Sequence, residues 1–110
     1  MGNGPRAPQV RAPHSVKVRL AARAARDLEE AMSRYEKELP GLGAALLEEV
    51  TAGIGFISEH PEASAIWPHA PREARRCILR RFPYGLIYEC RSREVVVVAI
   101  AHQRRRPPRR

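Results

Sequence analysis

RRCILRRFPYGLIYECRSREVVVVAIA, residues 75–101, is the stretch whose reading decides the fold. Arg75 to Phe82 has the two-residue period of a half-buried strand. Pro83 has no N–H and cannot sit inside a central strand, so a turn is expected near Pro83-Tyr84-Gly85. Leu86 to Cys90 then makes the return strand, Arg91-Ser92-Arg93-Glu94 a second turn, and Val95 to Ala101 a third strand. A register pairing Arg81 with Leu86 sets Leu79 opposite Tyr88 and Cys77 opposite Cys90 on one apolar face. It leaves Arg76, Ile78, Arg80, Ile87, Glu89 and Arg91 on the other. The third strand is apolar on both faces and is therefore expected to be central and covered on both sides. One layer of helices covers one face, so the rest calls for a partner or a second subunit, as in a homodimer.

Working back toward the start of the chain, Pro61 to Pro71 reads as a loop rich in Pro and Ala. Before it lie two helical patterns. Leu28, Ala31, Met32, Tyr35 and Leu39 form one apolar stripe, with Arg26, Glu29, Glu30, Arg34 and Lys37 opposite. Glu30 and Arg34 have the order and spacing of a helix-surface ion pair. Pro40-Gly41 interrupts the pattern. Leu46, Leu47, Val50, Ile54 and Ile57 form the second stripe, which ends at His60-Pro61. Gly53 and Gly55 weaken that helix, and a close approach to the first helix would account for them. Ser15 to Leu20 alternates as a strand. Met1 to His14 shows no apolar periodicity and reads as a disordered leader. The expected fold class is α+β: an N-terminal strand, an αα-hairpin, then a three-stranded antiparallel meander, with the domain over residues 15–107 and a basic tail over 108–110.

The chain has 110 residues, enough for one domain with its own core, and a net charge of +8. That charge is uneven: the middle of the chain is acidic and both ends are basic, which points to an anionic partner, either nucleic acid or an acidic protein. The longest apolar run, Val95 to Ala101, is far shorter than the roughly 20 residues of a membrane-spanning helix. Two cysteines, Cys77 and Cys90, are too few for a disulfide scaffold and lack metal-ligand spacing. No cofactor and no metal are expected, and the cytoplasm is the expected location.

Several segments, in this order and spacing, resemble the RelE/ParE toxins, the plasmid-stabilisation members in particular. They are Asp27-Leu28 with Tyr35, Pro40-Gly41-Leu42-Gly43, and Arg81-Phe82-Pro83-Tyr84 followed by Ile87-Tyr88. The most specific is His102-Gln103-Arg104-Arg105-Arg106-Pro107 directly after the last strand. Such members usually carry an aromatic residue shortly after that motif, where this chain has Pro108-Arg109-Arg110. The resemblance implies a growth-inhibiting toxin of a type II toxin–antitoxin system. It also implies a cognate antitoxin as partner, and as target either DNA gyrase or mRNA on the ribosome.

Ribosome-dependent RNA cleavage needs a base for the 2′-hydroxyl proton, cations for the charged phosphate, and an acid for the leaving oxygen. His102 suits proton transfer near neutral pH. Arg81 and Arg105 suit the phosphate oxygens, and Tyr84 suits stacking on a base. Arg76, Arg80, Arg91, Arg104 and Arg106 are candidates for contact with target or nucleic acid. Packing offers another account: His102 bonded to the turn near Tyr84, and Arg105 paired with an acid such as Glu89. Lysine is absent after Lys37, which makes the set thin for a nuclease and favours a toxin that only binds. A non-catalytic nucleic-acid-binding module and a degenerate toxin remain as alternatives.

The leader has no plausible core contact. Deleting Met1 to His14 is expected to leave the melting temperature nearly unchanged; a drop of more than several degrees would show that the leader packs on the domain.

Overall fold

A computed structural model of the chain describes residues 16–68 and 72–103. The sequence-expected leader and basic tail lie outside them. The fold is α+β: β1 (Val18–Leu20), α1 (Ala22–Glu38), α2 (Leu42–Glu59), β2 (Ala65–Trp67), β3 (Ala74–Ile78), β4 (Tyr84–Cys90) and β5 (Val95–His102). The strands form one mixed sheet in the order β1-β5-β4-β3-β2. β1 runs parallel to β5, and the other neighbours are antiparallel.

β5 is central, as its two apolar faces require. Val95, Val97 and Ile100 join the core under both helices, together with Leu86 and Tyr88 of β4. Val96 and Ile87 point away from the helices, yet are only 1% and 2% exposed. The register flanks Val96 with Arg19 and Glu89, and Ile87 with Arg76, whose aliphatic stems suit an apolar neighbour. Burial of β5 is thus reached within one chain and of itself demands no second subunit.

Both edges of β5 are hydrogen-bonded, but by different means. β4 pairs along its whole length. β1 stops at Leu20, opposite Val97, and Ala21 N donates to Val97 O at 2.9 Å as the chain enters α1. Farther along, the Asp27 carboxylate of α1 accepts from Ile100 N at 2.9 Å. A side chain on the helix serves where the short parallel strand has ended.

The helical hairpin is held at its turn. Gly41 has φ 98°, which favours glycine. Glu36 of α1 accepts from Gly41 N and Gly43 N at 3.0 Å, so one helix caps the N-terminus of the next. A Cβ at Gly43 would lie 2.9 Å from Met32 O. The Pro40-Gly41-Leu42-Gly43 signal therefore has a direct physical cause.

Several expectations are corrected. The stretch 61–71 is not loop throughout, because it contains β2, an edge strand with Ile66 exposed. Tyr84 and Gly85 belong to β4, and the turn falls earlier, before Pro83 is passed. Cys77 pairs with Leu86, not Cys90. That register is displaced by an even number of residues, so the inward and outward sets of β3 and β4 stay as read. Leu39 and Leu47 are exposed at 57% and 42%, off the buried stripes. The glycines of α2 do not serve contact with α1: Gly53 meets Leu86 and Leu79 of the sheet side, and Gly55 meets nothing.

Asp27→Ala would leave Ile100 N without its acceptor, at about 1–3 kcal/mol. We expect the melting temperature to fall by roughly 5–15 °C, with Asp27→Asn, which keeps a carbonyl acceptor, recovering most of the loss. An alanine variant melting within about a degree of the parent would show that the bond contributes nothing.

Candidate functional site

The residues singled out by chemistry gather at one end of the sheet, where β4 begins and β5 ends. Tyr84 pairs with His102 across the ladder. Their rings meet edge-on at 5.2 Å. Both side chains face the helices only because of an irregularity in β5: the register with β4 shifts between Ile87 and Tyr88, leaving Val98 as the extra residue.

Tyr84 is 4% exposed. Its hydroxyl accepts a hydrogen bond from the Arg34 guanidinium of α1, and its ring lies 6.3 Å from Tyr35. Tyr35 in turn packs edge-on against Phe82 at 5.0 Å. Burial, first, and the neighbouring Tyr84 push the Tyr35 phenol above its ordinary range, so it remains protonated and is no base. Arg34 was read as an ion-pair partner of Glu30; the structure turns it to Tyr84 instead. A buried ring in this aromatic cluster offers no open face for a base to stack on.

Arg81 lies in the loop between β3 and β4, and Glu49 of α2 clamps that loop. The Glu49 carboxylate accepts from Arg80 N at 3.1 Å, from Arg81 N at 3.2 Å and from Arg81 Nε at 3.2 Å. The Arg81 guanidinium also sits 6.0 Å from the Phe82 ring centroid. On the other side Gln103 N donates to Pro83 O at 2.7 Å, tying the loop to the end of β5. Sequence reading missed Glu49 because nothing local marks it among the glutamates of α2; only the fold brings it to the loop.

The structure therefore brings His102, Tyr84 and Arg81 near one loop but engages two of them in packing and ion pairing. The remaining candidates are dispersed. Arg76 lies on the outer sheet face, where its stem would meet any Cβ added at Gly85 within 2.9 Å. Arg80 is exposed in the clamped loop. Arg91 pairs with Glu89 at 2.8 Å. Arg104, Arg105 and Arg106 lie outside the described residues.

Two clefts are present. One, about 440 Å³, is lined by Glu29, Glu30, Ser33, Arg34 and Lys37 of α1. The other, about 230 Å³, is lined by Glu62, Glu73, Arg75, Tyr88 and Cys90. Neither includes His102, Tyr84 or Arg81. In the second, Tyr88 donates its hydroxyl hydrogen to Pro61 O at 2.7 Å, and Arg75 donates to Ser64 O at 2.7 Å. Cys77 and Cys90 are free thiols, and burial raises both above their ordinary range. Among the described residues no set of three His, Cys, Asp or Glu could hold a metal, and no helix is long and apolar enough to cross a membrane.

The profile of the ParE toxin of type II toxin–antitoxin system, parDE, matches residues 18–107 of the chain. Among the solved structures similar to it is the chromosomal ParDE TA system from P. aeruginosa. The TM-score is 0.70 at 18% identity, over 81% of this chain and 97% of that one. At that identity the likeness is one of fold. No curated protein matches.

Glu49 supplies a pH test. The Arg81 backbone N–H first, against some opposing desolvation, and then the Arg81 side chain hold its carboxyl below the ordinary 4.5. A carboxylate with a lowered pKa in the folded state stabilises above its unfolded pKa, and that contribution is lost as pH falls through the folded value. We expect Glu49→Gln to melt below the parent at neutral pH, with the gap closing below about pH 4. A gap that does not depend on pH would rule out the clamp as its source.

Proposed function

Because the chain belongs to the ParE toxin family of type II toxin–antitoxin systems, we propose that it arrests growth by binding DNA gyrase, without cutting RNA, and that a cognate antitoxin neutralises it. The observation that carries the choice of target is the engagement of the catalytic candidates. Tyr84 is buried beneath Arg34 and His102, and Arg81 is bound to Glu49. A nuclease needs its proton-transfer group and its cations converging on one open position about 3 Å from the reacting atoms. Here the two clefts are lined by other residues. A gyrase poison needs only a surface that binds, so nothing in this packing works against it.

The antitoxin is supported by the family and by the solved relative, which is a ParDE TA system. Leu39, Leu47 and Phe56 on the helices and Ile66 and Ile78 on the sheet are large exposed apolar side chains. They offer an amphipathic segment its contacts. Within this proposal the toxin acts in the cytoplasm, where both gyrase and the antitoxin are found.

Induced expression in a bacterial host is expected to arrest growth, and co-expression of the adjacent antitoxin gene to restore it. Purified toxin is expected to inhibit gyrase supercoiling and to leave mRNA on translating ribosomes intact, with His102→Ala acting only through stability or binding. Codon-position-specific cleavage that disappears in a folded His102→Ala or Arg105→Ala variant would establish the nuclease and overturn the gyrase reading. Normal growth with abundant folded protein would overturn the active toxin itself.

A further inference from the structure

We propose that the segment 104–110, and not the folded body, is the polyanion-binding element of this protein, and that its partner is a nucleic acid held through its phosphates. The charge of the chain divides unevenly between the two. The described residues hold thirteen basic and twelve acidic side chains, a net of +1. All the acidic residues of the chain are among them. The rest of the +8 belongs to Arg6 and Arg11 near the start and to Arg104, Arg105, Arg106, Arg109 and Arg110. Five cations in seven residues is the densest charge in the molecule, and no acid follows Glu94 in sequence.

Many of the body's own arginines are occupied. Arg19 pairs with Glu94 at 3.1 Å, Arg81 with Glu49 at 3.2 Å and Arg91 with Glu89 at 2.8 Å. Arg34 serves the Tyr84 hydroxyl, and Arg75 donates to Glu62 O and Ser64 O. An outside anion would have to displace these partners. The segment begins where Gln103 N is bonded to Pro83 O, at the clamped loop that also exposes Arg80.

The composition selects the partner's chemistry. A protein segment is recognised through apolar anchors in a desolvated centre, with charges at the rim. Residues 104–110 contain only arginine and proline, so they offer no anchor of that kind beyond the proline rings. Phosphate recognition needs none: the guanidinium fork meets phosphate oxygens in pairs, and affinity follows the number of phosphates neutralised. This assignment is independent of whether gyrase is the target.

The test is salt dependence, measured by anisotropy on a labelled 30-base-pair DNA duplex of mixed sequence, with a 30-nucleotide RNA in parallel. The full chain is compared with two variants that each lose five positive charges. One carries serine for Arg104, Arg105, Arg106, Arg109 and Arg110, the other for the exposed body residues Lys17, Arg26, Lys37, Arg72 and Arg93. Five phosphate contacts give a log–log slope of about −4.5 on duplex DNA, a loss of roughly 500-fold between 50 and 200 mM salt. We expect the tail variant to lose most of that slope with either polymer, at unchanged melting temperature, and the body variant to keep it.

Equal losses in the two variants would reduce the effect to net charge and overturn the proposal. An unchanged slope with a lowered melting temperature would place the arginines against the acidic side chains of the body, and would also overturn it. So would a tail variant that keeps its nucleic-acid affinity yet no longer binds the acidic antitoxin, since the segment would then belong to a protein partner.

Discussion

A strand apolar on both faces has to have both of its edges hydrogen-bonded, and β5 is that strand. Its amide and carbonyl groups lie away from water, where an unmet donor costs about 1–3 kcal/mol. Each neighbour is placed by this requirement. β4 returns along one edge. On the other, β1 runs parallel as far as Leu20, and the chain then turns directly into α1. Asp27, less than two turns into that helix, reaches back to Ile100 N. The bond fixes the rotation of α1 on the sheet, and Glu36 passes that orientation on to α2 by capping its first N–H groups. The hairpin is thus positioned by two carboxylates as well as by its apolar stripe.

The element order was legible because it rests on local pattern. The period of two in 75–101 and the stripes through Leu28 to Tyr35 and Leu46 to Ile57 are each visible within a few turns of chain. Pro83 and Pro40-Gly41 act on their immediate neighbours. Strand pairing is a different matter, since it depends on where a turn tightens. The bonds from Leu79 N to Tyr84 O and from Tyr84 N to Phe82 O close the loop before Pro83 has been passed. The even displacement that results kept the two faces correctly sorted while separating Cys77 from Cys90. β2 went unread because three residues at an edge, exposed at Ala65 and Ile66, carry no alternation to detect.

The candidate site was legible in residue types and not in roles. His102, Tyr84 and Arg81 do lie at one end of the sheet, as the motif order around the Arg81-Phe82-Pro83-Tyr84 turn suggested. Their partners were hidden, because Arg34 and Glu49 come from helices fifty and thirty-two residues away in sequence. Each looked like an ordinary solvent-facing charge when read along its own helix. Placement in the fold decides that Tyr84 is a core ring and that Arg81 belongs to a loop clamp. The spread of charge was read correctly as basic at the ends, but the outer sheet face is less cationic than the arginine count implied, because Glu89 and Glu94 lie there with Arg91 and Arg19.

The irregularity at Val98 has a consequence for how this chain can change length. Strict alternation from Val95 would send Ile100 and His102 outward and bring Ala99 and Ala101 under the helices. One extra residue reverses that assignment for the second half of the strand. Val95 to Val98 are four identical residues, so the loss of any one codon among them yields the same protein. That shorter strand would run without a bulge and still turn Ile100 and His102 to the helices. The valine run is therefore a stretch where descent can drop a residue while the core keeps its members, whereas a single-residue gain there would need a second irregularity to absorb it.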